Sequence, residues 1–264
     1  MTDIRPAAVA GAFYPRQASV LAAEVAGYLS AAPRERFATP KAIIAPHAGY
    51  VYSGPIAASI YARLAPLRGT VRRVVLAGPA HRVFVRGAAV SSARAFASPL
   101  GNVPLDEEAI AALRELPFVE VSDPAHAMEH SLEVHLPFLQ TVLDEFTLVP
   151  VVVGDASPAE MAQLLGRLWG GDETLVVVSS DMSHYLPYAA AQAVDAHTAK
   201  AILQLRDSLE PDEACGAAPI NGLLRAARER GLVAEQVDLR NSGDTAGDRD
   251  RVVGYGAFAF HKAP

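Results

Sequence analysis

Short apolar runs rich in β-branched residues recur along the chain, and each is bounded by Gly, Pro, Ser or Asp. Strands that are buried on both faces have this pattern, because neither face meets water. The pattern predicts strands within AIIAP (42–46), VRRVVLAGP (71–79), FTLVPVVVG (146–154), TLVVVSSD (174–181) and VVGYGAFAF (252–260).

Segments with a helical spacing of apolar residues lie between these runs. One of them opens with Ser157, Pro158 and Glu160, which supply a capping residue, a proline at the first helical position and a glutamate at the third. The same kind of spacing predicts the other helices at 17–30, 55–64, 129–143, 188–205 and 213–230.

The alternation of strands and helices predicts an α/β fold with a mainly parallel central sheet and helices on both faces. Residues 86–105 differ from this pattern. They alternate weakly around Pro99-Leu100-Gly101, and we interpret them as an inserted antiparallel hairpin. No linker, low-complexity tract or repeat is visible, so we predict a single domain over residues 1–264.

Composition and charge narrow the functional classes. Hydrophobic residues make up 51% of the 264 and charged residues 20%, which is typical of a chain that buries a full core. The net charge is −6 and no basic run is present, so neither a nucleic acid nor a membrane is expected as a partner. A single cysteine, no signal-peptide pattern and no apolar run near the roughly 18 residues of a membrane span indicate a cytoplasmic protein.

Candidate chemistry lies where the predicted strands end. His47, His81 and Asp181 each follow a strand, His184 comes just after Asp181, and Asp244 ends the segment VAEQVDLRNSGD. Each alone is typical of a turn or a helix cap. In an open parallel sheet, however, the carboxyl ends of the strands share one edge, where ligands bind. Two imidazoles and one carboxylate form a facial triad, which is diagnostic of non-haem Fe(II), although Zn, Mn or Cu could also occupy it.

The segment EHSLEVHLPF (129–138) superficially resembles a zincin helix. His130 and His135 are five residues apart, about 140° around a regular helix, so they cannot bind one ion together from such a helix. We expect His130, near the helix start, to point into the crevice, His135 to be a packing or surface residue, and Glu133 to be solvated. Cys215 has small apolar neighbours, which favours a buried structural cysteine.

Seven segments together resemble the Memo family: AGAFYP, PHAGYVYSG, GPAHRV, EHSLEVHLPFLQ, VVVSSDMSHY, CGAAPI and RNSGDTAGDRDRVVGYGAF. They run in order over nearly the whole chain. Memo proteins are similar in fold to the class III extradiol dioxygenases of the LigB-like superfamily, which open catechol rings with Fe(II) bound by two His and one Glu. The resemblance also implies partnership with a radical-SAM protein and an AMMECR-type protein.

The resemblance assigns roles to individual positions. It implies His47 and His81 as metal ligands and Asp244 as the acidic ligand, although Asp is one methylene shorter than the Glu of the dioxygenases. It implies His184 as the acid/base, with His130 and Asp181 in the substrate pocket. Phe13, Tyr50 and Tyr52 are expected to line that pocket.

Two hypotheses for the function follow. The first is an Fe(II)-dependent, dioxygenase-like oxidoreductase that acts on a phenolic or related small molecule. The second is a binding module that carries a metal or a small ligand, or serves a partner protein, without turnover. A protein with turn histidines and no site is a third reading.

Overall fold

The computed structural model describes residues 3–33 and 37–263. Its strands are β1 (Ile4–Arg5), β2 (Ala42–Ala45), β3 (Arg73–Pro79), β4 (Ala88–Val90), β5 (Ala95–Ser98), β6 (Gly101–Pro104), β7 (Val119–Val121), β8 (Thr147–Val153), β9 (Thr174–Ser179), β10 (His184–Leu186), β11 (Leu232–Asn241) and β12 (Val252–Lys262). Its α-helices are α1 (Ala18–Ala31), α2 (Tyr50–Tyr61), α3 (Glu107–Leu113), α4 (Asp123–Ala127), α5 (Leu136–Val142), α6 (Pro158–Arg167), α7 (Tyr188–Leu203) and α8 (Ala217–Glu229). Short 3-10 helices span Ala62–Leu67, Glu133–His135 and Ser242–Asp244.

Nine of these strands form the central sheet, in the order β10-β12-β2-β9-β3-β8-β4-β7, with β11 paired to β12. The four strands β2, β9, β3 and β8 run parallel at its centre. They are almost completely buried, as their uninterrupted apolar sequences predict. The predicted α/β class with a helix-flanked central sheet is confirmed.

The prediction of a mainly parallel sheet is wrong, because the sheet is mixed. β12 pairs antiparallel with β2, β10 and β11, and β4 pairs antiparallel with β8. β11 and β12 follow one another in the chain, and a short connection allows only antiparallel pairing. The apolar run of β12 indicates burial on both faces, but burial does not encode direction.

The inserted hairpin is shorter than predicted. Only β5 and β6 form it, and β1 adds a parallel strand to make a separate three-stranded sheet. β4, at the start of the predicted insertion, belongs to the central sheet.

Two helices also differ from the sequence-based expectation. α2 begins at Tyr50, so Pro55 lies inside it. The predicted helix over 129–143 is divided into an irregular stretch, one 3-10 turn and α5. α6 begins as predicted, with the capping box of Ser157 and Glu160. No helix within the described ranges combines the length and apolar character that crossing a membrane requires.

Candidate metal centre

Three neighbouring parallel strands deliver candidate residues to one edge of the central sheet. β2, β9 and β3 lie side by side, and His47, Asp181 and His81 each follow the carboxyl end of one of them. Because parallel strands end at a common edge, these side chains lie close together. Asp181 Oδ1 accepts a hydrogen bond from the backbone N–H of His47 at 2.8 Å, which links two of the strand ends directly.

The tautomer of His47 is fixed by its hydrogen bonds. The Ser179 hydroxyl donates to the carbonyl oxygen of Ser131 at 2.6 Å, which uses its single hydrogen. The contact of 2.6 Å between Ser179 Oγ and His47 Nδ1 therefore requires a hydrogen on Nδ1. The lone pair of His47 is left on Nε2. Such outer hydrogen bonds typically orient a metal-binding imidazole.

Close packing beneath His47 depends on a glycine in β3. A Cβ atom at Gly78 would lie 3.0 Å from the Ser179 Cβ and 3.1 Å from the Ser131 Oγ. Any larger residue would push on both serines that hold the imidazole. A glycine is therefore needed at position 78 because the neighbouring side chains lie so close, and not because of its backbone conformation.

His81 is held in the same way by a carboxylate. Its Nδ1 lies 2.9 Å from Glu129 Oε1, and its backbone N–H donates to Glu129 Oε2 at 2.6 Å. A hydrogen on Nδ1 again leaves Nε2 free. Glu129 also accepts the backbone N–H groups of His130 and Ser131, each at 2.9 Å.

His130 completes a group of three imidazoles. One ring nitrogen of each of His47, His81 and His130 lies within 4.8 Å of the others, and this is the group of possible ligands found in the described part of the chain. The Nδ1 of His130 is buried without a hydrogen-bond partner, although it lies 3.3 Å from Glu129 Oε1. The Phe13 ring packs against the His130 ring, with centroids 4.7 Å apart.

Burial sets the charge of this group. It lowers the pKa of His47 well below the ordinary value, and neighbouring histidines lower it further. Burial also lowers the pKa of His130, to about 4. Burial alone would raise the pKa of Glu129, but hydrogen bonds from His81 and Ser131 lower it to about 2. His47 and His130 are therefore neutral at neutral pH and Glu129 is charged, and a neutral imidazole is the form that binds a metal ion.

The three imidazoles face a cavity of about 600 Å³. That size is typical of small-molecule sites. Among the other predicted residues, Asp181, His184, Phe13 and Tyr52 line the same cavity. A larger cavity of about 990 Å³ lies elsewhere, along Arg73, Asp106 and Gln140, and contains none of the candidate residues.

Burial shifts the pKa values of two of the lining residues. Burial raises the pKa of the Asp181 carboxyl to about 7, against the lowering effect of its bond from the His47 N–H. Burial lowers the pKa of His184, which keeps this imidazole neutral. Groups that titrate near the working pH, or stay neutral there, are suited to general acid–base chemistry.

Asp244 lies outside the group of three imidazoles. Its Oδ1 accepts from the Tyr188 hydroxyl at 2.5 Å, and its Oδ2 accepts from the backbone N–H of Asn241 at 3.0 Å. The bond from Asn241 belongs to the capping box of the 3-10 helix Ser242–Asp244, and the carboxylate lies at a separate small cavity. The structure therefore brings His130, rather than Asp244, to His47 and His81.

Tyr50 also lies away from the cavity. Its side chain is buried, its hydroxyl donates to the carbonyl oxygen of Val134 at 2.6 Å, and its ring packs against Phe138. The reason is the early start of α2, which turns Tyr50 toward the core and leaves Tyr52 at the cavity.

Sequence reasoning missed two contributors to the site. For Glu129 the sequence left solvation and hydrogen bonding to a histidine both open, and Ser179 was visible only as a polar residue at a strand end. Cys215 is closer to the site than expected, since its Sγ lies 3.4 Å from His47 Nε2. Burial raises its pKa to about 12, so it is a neutral thiol.

Fold and site together define a mixed α/β protein with a candidate three-histidine metal centre at the carboxyl edge of its central parallel strands. The family model for Memo-like proteins matches residues 5–259. A MEMO1 family protein of Aquifex aeolicus is 35% identical, and the match covers 97% of this chain and 99% of that relative. A MEMO1 family protein of Methanothermobacter thermautotrophicus is also 35% identical, over 96% of this chain and 98% of the relative. The chain belongs to the Memo family.

A solved structure shares the fold. The crystal structure of an uncharacterized protein from Escherichia coli K12 matches with a TM-score of 0.54 over 81% of this chain and 98% of that one. The sequences are 16% identical, so this likeness concerns the fold alone.

Proposed function

We propose that this protein binds a divalent transition-metal ion through His47, His81 and His130 and oxidises a small phenolic molecule with dioxygen. One observation carries the proposal: three imidazoles converge within 4.8 Å and face a cavity large enough for such a molecule. The resemblance to the class III extradiol dioxygenases supplies the reaction type.

The donor set fits a borderline divalent ion. Imidazole suits Fe, Zn and Cu, whereas Mg and Ca prefer oxygen ligands. With their Nδ1 atoms engaged by Ser179 and Glu129, His47 and His81 would offer Nε2 to such an ion, and His130 would supply its third imidazole. We propose Fe(II), with Zn, Mn or Cu as alternatives. When bound, the ion would supply a Lewis acid and a redox centre.

The chain's own residues would bind and orient the substrate and move its protons. His184, neutral because it is buried, would accept a phenolic proton. Asp181, whose pKa of about 7 allows both states at neutral pH, would hold or return a proton beside His47. The rings of Phe13 and Tyr52 form part of the wall that excludes water.

A metal-carrying module without turnover is the second candidate. Phe84 is 81% exposed and lies three residues after His81, in the loop between β3 and β4. An exposed aromatic side chain beside a metal site suits docking of a partner. The radical-SAM and AMMECR-type proteins implied by the family resemblance are the proposed partners.

The test is oxygen consumption by protein reconstituted anaerobically with Fe(II) and offered a panel of catechols. The proposal predicts uptake that requires both the metal and a phenolic substrate. His184→Ala should keep its metal and lose about 100-fold or more in rate, as expected for a general base. His197→Ala, on the exposed face of α7, is the matched control and should behave like the unaltered protein.

The outcomes separate the candidates. Stoichiometric metal without uptake on any catechol would favour the module. Absence of stoichiometric metal after reconstitution would overturn both.

A further inference from the structure

The cavity that contains the three imidazoles is also lined by one arginine. Arg251 lies immediately before β12, and its guanidinium is stacked 5.2 Å from the centroid of the Tyr185 ring. In residues 3–33 and 37–263, its side chain makes no ion pair or hydrogen bond, and only its backbone N–H is engaged, by Asp248. A fixed positive charge thus faces the cavity without a carboxylate partner.

Tyr185 is held in place by an irregularity of the backbone. β10 pairs with β12 through His184 and Leu186, and the register shifts between these two residues. Tyr185 lies in that bulge with φ of 59°, a conformation that is strained for an aromatic residue. Bulges redirect side chains beside functional sites, and strain of this kind persists where surrounding contacts impose it. Here it leaves the Tyr185 ring 62% exposed at the cavity, where Arg251 stacks on it.

The two acidic residues of this wall, Asp181 and Asp248, make no salt bridge with Arg251 in the described part of the chain. Asp248 also lines the cavity, but its Oδ1 accepts the backbone N–H groups of Asp250 and Arg251 at 3.0 and 3.3 Å. Other arginines of the chain differ from Arg251 in this respect. Arg73, for example, pairs with Asp106 at 2.6 Å, and Arg240 pairs with Asp238 at 2.6 Å.

We propose that Arg251, braced by Tyr185, binds an anionic group of the ligand, so that the molecule taken by this cavity is a carboxylate-bearing phenol rather than a neutral one. A guanidinium binds a carboxylate through paired, charge-assisted hydrogen bonds, and its stacking on an aromatic ring leaves those donors free. The phenolic end would reach the imidazoles that line the same cavity. This inference rests on the proposed function, because it assumes that the imidazoles hold a metal ion.

The experiment compares two ligands that differ in one group. Protein loaded with Zn(II), which does not react with dioxygen, is titrated by calorimetry with 3,4-dihydroxybenzoate and with 4-methylcatechol. We expect the unaltered protein to prefer the carboxylate. Arg251→Gln should weaken its binding about tenfold and leave 4-methylcatechol unchanged, since one charge-assisted contact is lost.

A neighbouring arginine provides the control. Arg249 stacks on Tyr188, with its guanidinium 4.3 Å from the ring centroid, but is not part of the cavity wall. Arg249→Gln makes the same change in charge two residues away and should alter neither affinity. If Zn(II) is bound stoichiometrically, two results would overturn the inference. One is equal affinity of the unaltered protein for the two ligands; the other is an unchanged preference of Arg251→Gln for the carboxylate ligand. Failure of the unaltered protein to bind Zn(II) would instead overturn the proposed function, and the inference with it.

Discussion

Glu133 carries its carboxylate fully buried behind the candidate metal centre. It accepts hydrogen bonds from the backbone N–H groups of Ala8 and Val9 at 2.7 and 2.9 Å, from the Tyr14 hydroxyl at 2.6 Å, and from the Arg5 guanidinium. Arg5 also donates to the carbonyl oxygens of His126 and Glu129. This network therefore ties the N-terminal segment to the stretch that contains Glu129 and His130.

Replacement of Glu133 by glutamine should lower the free energy of unfolding by about 3 kcal/mol, because the buried Arg5 charge loses its counterion. Urea unfolding followed by circular dichroism measures this. Glu107→Gln is the control: Glu107 pairs with Arg94 in a largely exposed salt bridge, so this substitution should change the free energy of unfolding much less. Equal stabilities of the two variants would show that the network contributes no more than a surface pair.

The expectation that Glu133 is solvated was wrong, and the reason is physical. A glutamate among apolar residues is typical of the polar side of a helix, but here the helix is interrupted. The groups that donate hydrogen bonds to Glu133 belong to residues more than 100 positions earlier in the chain. His47 and His81 were predictable because each follows an apolar strand. The sequence did not show which of Asp244 and His130 would lie near His47 and His81, because this depends on the hydrogen bonds that each residue makes in the folded chain. Asp244 accepts the backbone N–H of Asn241, the residue that caps the 3-10 turn Ser242–Asp244, while the backbone N–H of His130 donates to Glu129.

At the scale of elements, strand positions could be predicted but strand directions could not. The apolar runs locate β2, β3, β8, β9 and β12 to within a few residues. Their direction depends on pairing across the sheet, and the antiparallel β12 is as apolar as its parallel neighbours. The three strand ends still converge although the sheet as a whole is mixed, because β2, β9 and β3 are parallel to one another.

The bulge in β10 was also invisible in the sequence. In the sequence, Tyr185 has the character of an ordinary strand residue. Its positive φ becomes visible only in the structure, where the register of β10 against β12 shifts. The Tyr185–Arg251 stack therefore depends on tertiary pairing rather than on local preference.

At the scale of the whole molecule, buried neutral histidines make stability depend on pH. His126 is one of them; its Nε2 lies 3.1 Å from the Ala89 carbonyl oxygen and its Nδ1 has no partner. Burial lowers its pKa from 6.5 to about 4. Between these values the unfolded chain binds the proton and the folded chain does not, so acid in this window favours unfolding.

His126→Gln should therefore flatten the pH profile. Relative to the variant, the unaltered protein should lose up to about 3 kcal/mol of unfolding free energy as the pH falls from about 6.5 to 4. Asp181, whose pKa is raised, acts in the opposite direction, but it is common to both proteins and cancels in the comparison. Urea titrations at several pH values measure the difference, with His197→Gln on the surface as control. Parallel profiles for His126→Gln and the unaltered protein would contradict this account.

We infer that His130 joins His47 and His81 at one metal ion and that Asp244 does not. Elemental analysis of His130→Ala and Asp244→Ala, each reconstituted anaerobically with Fe(II) and desalted, tests this inference. Circular dichroism of both variants establishes that they are folded. We expect His130→Ala to lose most of its metal and Asp244→Ala to retain as much as the unaltered protein. Metal lost from Asp244→Ala and kept by His130→Ala would contradict it.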